Sequence, residues 1–200
     1  MSDSAVADVR QQIIDRAKTL FQTEGYGAVS MRRLAAETNR GVATIYEYFP
    51  SKADLLRHVW ADFFDEIFSQ ISDASQGKIG LAALKAMATA YAEYWFEHPD
   101  RFRMVFFNED RSEQGEPLFV HRFSMESRLH PLLTAIEEGQ AAGEIIPGDP
   151  VTLLQVLVGF VHGAALNLIT ISEFEWVERD QLISTALRLL ERQASTSDRL

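Results

Sequence analysis

The sequence predicts an all-α protein, with an amino-terminal three-helix head built on a helix-turn-helix and a larger helical body behind it. Three observations carry this prediction. Every periodic segment repeats its apolar residues at helical spacing, and no stretch alternates as a half-buried strand would. Residues 30–52 read as two short helices separated by a tight turn and closed by a hard stop. The body is punctuated by Pro and Gly at intervals that leave room for several long helices, about nine in the whole chain. At 200 residues, 46% hydrophobic and 24% charged, the composition is that of an ordinary globular protein with enough length for a core.

The first helix carries Ile13, Ile14, Ala17, Leu20 and Phe21 on one face and stops at Gly25. Ser30 is a good N-cap for the second, whose stripe includes Leu34 and Ala35. Asn39 and Gly41 are residue types that tolerate the positive φ a sharp inter-helix turn needs. The third helix, about Val42 to Tyr48, turns Ile45 and Phe49 inward at i, i+4 spacing. Val42, Ala43, Thr44, Glu47 and Tyr48 then face outward, with little bulk near the helix start. Such a face can enter a major groove.

After Pro50, Ser51 and Asp54 suggest a capping box for a long fourth helix. Leu55, Val59, Phe63, Ile67 and Ile71 run down it, with Leu56, Trp60, Phe64 and Phe68 in the adjacent row. Its first turn belongs to the head and its last turns to the body. Gly77 to Gly80 is a turn, and the fifth helix follows from about Leu81 to Glu97 until His98-Pro99 breaks it. Asp100 to Phe107 makes a short sixth helix with Phe102, Phe106 and Phe107 facing inward. Asn108 to Pro117 is a polar loop, and Leu118 to Ala142 a seventh helix that Pro131 kinks or divides. Pro147-Gly148 turns the chain, Asp149 is an N-cap and Pro150 opens the eighth helix, Val151 to Ile171. That helix is nearly continuous apolar sequence, long enough to span a membrane. Gln155, His162 and Asn167 interrupt it and no Lys/Arg cluster flanks it, so burial by protein on all sides is the expectation. The ninth helix, about Glu175 to Gln193, groups Leu182, Ile183, Ala186, Leu187 and Leu190, and the tail is polar.

The stretch Ser30 to Lys52 resembles the DNA-binding motif of TetR-type transcriptional regulators. It matches that pattern without a gap at Met31, Arg32, Leu34, Ala35, Ala43, Thr44, Ile45, Tyr46, Tyr48, Phe49 and Lys52. Three departures fall in the turn, where Asn39, Arg40 and Gly41 stand for the usual Gly, Val and Ser or Thr. The resemblance implies phosphate contacts from Ser30, Arg32, Tyr46, Tyr48 and Lys52, and base-edge contacts from Val42, Ala43 and Thr44. Arg40 and Glu47 have the chemistry to add contacts to guanine and cytosine. The segments Tyr94 to Arg103 and Gly159 to Ala165 also look like parts of that family's body, which implies effector binding and pairing of the last two helices across a two-fold axis. Head and body are expected to divide at 1–56 and 57–200, as a homodimer on double-stranded operator DNA.

Charge is divided in the same way. Residues 1–57 hold eight Lys/Arg against seven Asp/Glu, and the rest eleven against twenty-two, within a total of -10. An acidic body with a reading head that needs few phosphate contacts fits this asymmetry, although an acidic protein with no nucleic-acid role would also produce it. There is no cysteine, so neither disulfides nor a thiolate metal site is possible. Met1 to Val9 contains Asp3 and Asp8 and no apolar run, so no secretory signal is expected and the cytoplasm is the default.

No phosphate loop, dinucleotide fingerprint, zinc-protease motif or nucleophile elbow occurs, so no catalytic residue, metal site or cofactor is expected. Glu126 and His130, at i, i+4, read as a solvated helix pair. Tyr91, Tyr94, Trp95, Phe106, Phe107, Phe123 and Phe160, with polar His162 and Asn167, form the best candidate lining for a small, mainly apolar effector, and Trp60 and Phe64 are its candidate link to the head. The rings taken singly fit a plain core equally well, and the resemblance is what favours a pocket. Gly159 and Gly163 leave a groove for a closely packed helix. With Leu182, Ala186, Leu187 and Leu190 they are the expected dimer contacts. The alternative is a helical binding protein or enzyme that keeps the motif only as scaffold.

Overall fold

The computed structural model describes residues 3–107 and 125–192. Within them lie nine α-helices: α1 (Asp3–Glu24), α2 (Met31–Glu37), α3 (Val42–Tyr48), α4 (Lys52–Ser75), α5 (Gly80–Glu97), α6 (Pro99–Phe106), α7 (Met125–Ala141), α8 (Pro150–Thr170) and α9 (Arg179–Arg188). No strand occurs among the described residues, as the periodicity predicts; one isolated antiparallel bridge joins Ile145 and Glu191. The described residues cluster into two compact units, one drawn from 3–65 and 100–107, the other from 66–99 and 125–192.

In the first unit, the inward stripe of α1 is buried from Ile13 to Phe21, as its spacing requires. Gly25 ends the helix at φ 83, in the left-handed region that glycine enters without a Cβ penalty, and its N–H donates to Phe21 O at 2.9 Å. Charged side chains tie α1 to α2: Arg16 pairs with Glu37, and Arg33 bonds both Glu37 and Glu24 at 2.9 Å. The Arg16 hydrogen bond, then that of Arg33, holds the Glu37 carboxyl below the usual carboxylate range. Ser51 Oγ accepts from Asp54 N at 3.1 Å and so caps α4. Leu55, Leu56, Val59, Trp60 and Phe63 are then buried. Phe63 meets Phe21 at 5.9 Å and lies 4.6 Å beneath the Arg101 guanidinium. On α6, Phe102 is buried and packs on Phe106 at 4.7 Å. Phe107 does not face inward as expected: the helix ends at Phe106, and Phe107 is 47% exposed.

In the second unit, α5 is buried on a broad face that includes Leu84, Met87, Ala88, Tyr94 and Trp95. Its approach to α7 depends on two glycines. A Cβ on Gly139 would fall 2.5 Å from Ile145 Cδ1, and one on Gly80 (φ 54) would fall 2.9 Å from Glu144 Oε2 and 3.3 Å from Gly139 Cα. The Ile79 N-cap supplies no side-chain bond to α5, and the N–H groups of Gly80 and Leu81 donate instead to Glu138 and Glu144 carboxylate oxygens at 3.0 and 3.1 Å. α7 remains one helix through the exposed Pro131, so of the expected kink or division the division does not occur. The polar loop, the predicted start of α7 before Met125 and Phe123 lie outside the described residues.

Asp149 caps α8, its Oδ2 accepting from Thr152 N at 2.8 Å and from Thr152 Oγ1 at 2.7 Å, with Pro150 at the first helical position. The helix is not buried on all sides. Leu154, Leu157, Val161, Ala164 and Ala165 face α5, α7 and α9, while Val156 is 61% and Phe160 and Leu166 each 37% exposed. The chain's own helices pack against only part of the circumference of α8. α9 is shorter than the expected span of 175–193. Trp176 Nε1 donates to Ile171 O at 2.8 Å in an exposed turn ahead of it. Beyond it, Leu190 O accepts from Ile146 N at 2.9 Å and Arg192 N donates to Glu144 O at 2.8 Å, which draws the chain into the bridge.

Candidate nucleic-acid interface

The motif is assembled from short-range bonds. Ser30, extended at φ -141, caps α2 through Oγ, which accepts from Arg33 N at 3.2 Å, and Met31, Leu34 and Ala35 are buried beneath. The helix closes with Thr38 Oγ1 donating to Leu34 O at 2.6 Å and Arg40 N to Ala35 O at 2.8 Å. Asn39 makes the turn at φ 53. Gly41, at φ -69, does not use a positive φ; it is the N-cap of α3 and supplies no side-chain bond. Ile45 is the anchor of α3, fully buried along with the following Phe49. Phe49 lies under the Arg10 guanidinium at 5.0 Å and against the His58 ring edge at 5.7 Å.

With Ile45 inward, α3 presents Val42, Ala43, Tyr46 and Glu47 to solvent, Val42 at 38% and Tyr46 at 49% exposure, and keeps Thr44 and Tyr48 half-buried. Ser30 and Arg32 are exposed and Lys52 is half-buried. The outward side of α3 thus carries short and hydrogen-bonding side chains. Arg40 differs. It is half-buried, and its Nη2 donates to Gln12 Oε1 on α1 at 2.9 Å, an anchoring bond that sequence spacing does not reveal because its partner is 28 positions away.

The candidate effector residues are dispersed. In the first unit Trp60 is buried, Phe64 and Phe106 are half-buried and Phe107 is exposed. In the second, Tyr94 and Trp95 are fully buried with rings 5.2 Å apart, and Tyr91 stands edge-on to Trp95 at 6.0 Å. The Tyr91 hydroxyl is hydrogen-bonded to His162 Nε2, with the rings 5.5 Å apart. Burial pushes the Tyr91 phenol up and pushes His162 down to about 4. At neutral pH both are therefore uncharged, and which of the two donates follows from the His162 tautomer. Phe160 is exposed and Asn167 half-buried.

The expected dimer residues divide. Gly159 and Gly163 have nothing within 4 Å of the position a Cβ would take, so space remains over α8 at both. Leu182 is half-buried. Ala186, Leu187 and Leu190 are a correction: they are buried inside the protomer's own core, because the inward face of α9 is the one that carries its apolar residues.

Residues 13–59 match the pattern of the bacterial regulatory proteins of the tetR family. The HTH-type transcriptional repressor KstR of Rhodococcus jostii is 39% identical over 70 residues, 35% of this chain and 33% of that one. An uncharacterized HTH-type transcriptional regulator of Mycobacterium tuberculosis is 28% identical over 93 residues, 46% of this chain and 43% of that one. These alignments thus span less than half the length of either relative. Among solved structures, a protein of unknown function from Rhodococcus sp. RHA1 has a TM-score of 0.68 at 22% identity, covering 92% of this chain and 96% of the other. A TetR family transcription regulator from Marinobacter aquaeolei VT8 has 0.61 at 18% identity, covering 96% and 100%. At these identities the likeness is one of fold.

Proposed function

The chain carries the amino-terminal domain of the TetR-type regulators over residues 13–59, and from that premise we propose that it is a DNA-binding transcriptional regulator, a repressor released from a palindromic operator by a small, mainly apolar effector. The observation that supports this best is the outward face of α3, where Val42, Ala43, Tyr46 and Glu47 stand clear while Ile45 and Phe49 hold the helix from behind. Val42, Ala43 and Thr44 reach base edges. Ser30, Arg32, Tyr46, Tyr48 and Lys52 fix the head on phosphates. Glu47 accepts from cytosine, whereas Arg40, bonded to Gln12, acts by orienting the turn.

Two heads on a two-fold operator require a homodimer, and the exposed face of α8 supplies the surface: Val156, Phe160 and Leu166 beside the open Gly159 and Gly163. Effector sensing is assigned to the unit that holds Tyr91, Trp95 and His162, where apolar rings surround one polar pair. α4 runs as one helix from Lys52 to Ser75, and is the element through which that unit biases the head.

The test is fluorescence anisotropy with DNA from upstream of the protein's own coding sequence. Tyr48→Ala should weaken binding to every sequence tried, and Thr44→Ala should change the order of preference among them. If both variants bind like the parent, α3 is not the reading helix.

A further inference from the structure

A cleft of about 800 Å³ lies between α5 and α9, and neither Tyr91 nor His162 lines it. The two helices run antiparallel there. Lys85 is paired with Glu191 at 2.6 Å at one end, and the Arg179 guanidinium lies 5.3 Å over the Phe96 ring at the other. The floor is apolar and buried, from Ala92, Phe96, Ile183 and Leu187. The walls carry a gradient of charge. Lys85 and Arg188 against Glu191 leave the first end net positive, whereas Glu93, Glu97 and Asp180 against Arg179 leave the second net negative.

We propose that this cleft binds an elongated dipolar molecule: an anionic group at Lys85 and Arg188, an apolar middle on Leu187 and Ala92, and a cationic group at Glu93. A neutral apolar occupant would take the cleft's charges out of water without compensation. A molecule charged alike at both ends would be repelled at one of them, so the walls discriminate by sign. The inference is independent of DNA binding.

The experiment is calorimetric titration of the full chain with three probes. Lys85 and Glu93 are about 12 Å apart along α5 at 1.5 Å per residue, which suits ω-aminononanoic acid as the dipolar probe and nonanedioic acid and nonanediamine as its like-charged controls. The amino acid should bind at least about tenfold more tightly than either control. In Arg188→Glu the first end becomes negative, and the order should reverse in favour of the diamine. That reversal separates the effect from a loss of fold, which would abolish binding of all three. Equal binding of the three probes, no binding of the amino acid, or an unchanged order in Arg188→Glu would overturn the proposal.

Discussion

At the scale of single residues, His162 shows how burial decides chemistry. Its imidazole titrates at about 4 in the folded chain against 6.5 when free, so the folded state binds fewer protons between those values. Stability is therefore greatest above pH 6.5, falls as the pH drops from 6.5 towards about 4, and levels off below. The whole effect is roughly 3 kcal/mol, since each tenfold loss of proton affinity corresponds to about 1.36 kcal/mol. Denaturant midpoints measured across this range should fall in the parent and fall less in His162→Gln; parallel curves would mean that the imidazole is not held neutral. Nothing in the sequence reveals this pairing, because Tyr91 and His162 are 71 positions apart and meet only when α5 packs on α8. Asn39 and Gly41 make the same point locally. Both were legible as turn residues, but only Asn39 takes the positive φ, since the chain needs one left-handed residue there and Gly41 is already extended into the cap of α3.

At the scale of elements, the contact between α5 and α7 depends on Gly80 and Gly139. Gly139→Ala would drive a Cβ into Ile145 and towards Leu81 N at 3.2 Å. We expect a loss of about 1–3 kcal/mol, the cost of overpacking a filled interior, despite alanine's better helix propensity. Urea denaturation of Gly139→Ala at or above the parent's midpoint would show that α5 and α7 have room to part. Helix existence was legible because 3.6-residue periodicity survives in every segment, and the α8 cap was legible because Asp149-Pro150 is a local signal. The ends of α9 were not. Its start depends on the Trp176 turn and its finish on the bridge to Ile145, a partner 46 positions away that periodicity cannot register. Likewise Ala186, Leu187 and Leu190 form a visible apolar stripe, but a stripe does not say whether its own chain or a second copy covers it.

For the whole molecule, α8 is long and apolar enough to cross a membrane, and a third of its apolar window is buried (33%). We propose that a second copy covers the open face at Gly159 and Gly163. Gly163→Leu meets no atom of its own protomer within 4 Å at Cβ, and replaces a poor helix former, so the protomer should gain up to about 0.8 kcal/mol of helix propensity while the dimer weakens. Sedimentation equilibrium at several concentrations checks this, and an undiminished dimer would move the interface off this face. The central claim is that α3 reads DNA as one of two symmetric heads. It is tested most directly by incubating the protein with fragmented DNA from its own source organism, recovering the bound fragments and sequencing them. The account predicts enrichment of fragments sharing an inverted repeat, with half-site centres about one helical turn or a small multiple of 34–36 Å apart, and loss of that enrichment in Tyr48→Ala. Recovered fragments with no common inverted repeat, or the same set from Tyr48→Ala, would contradict it.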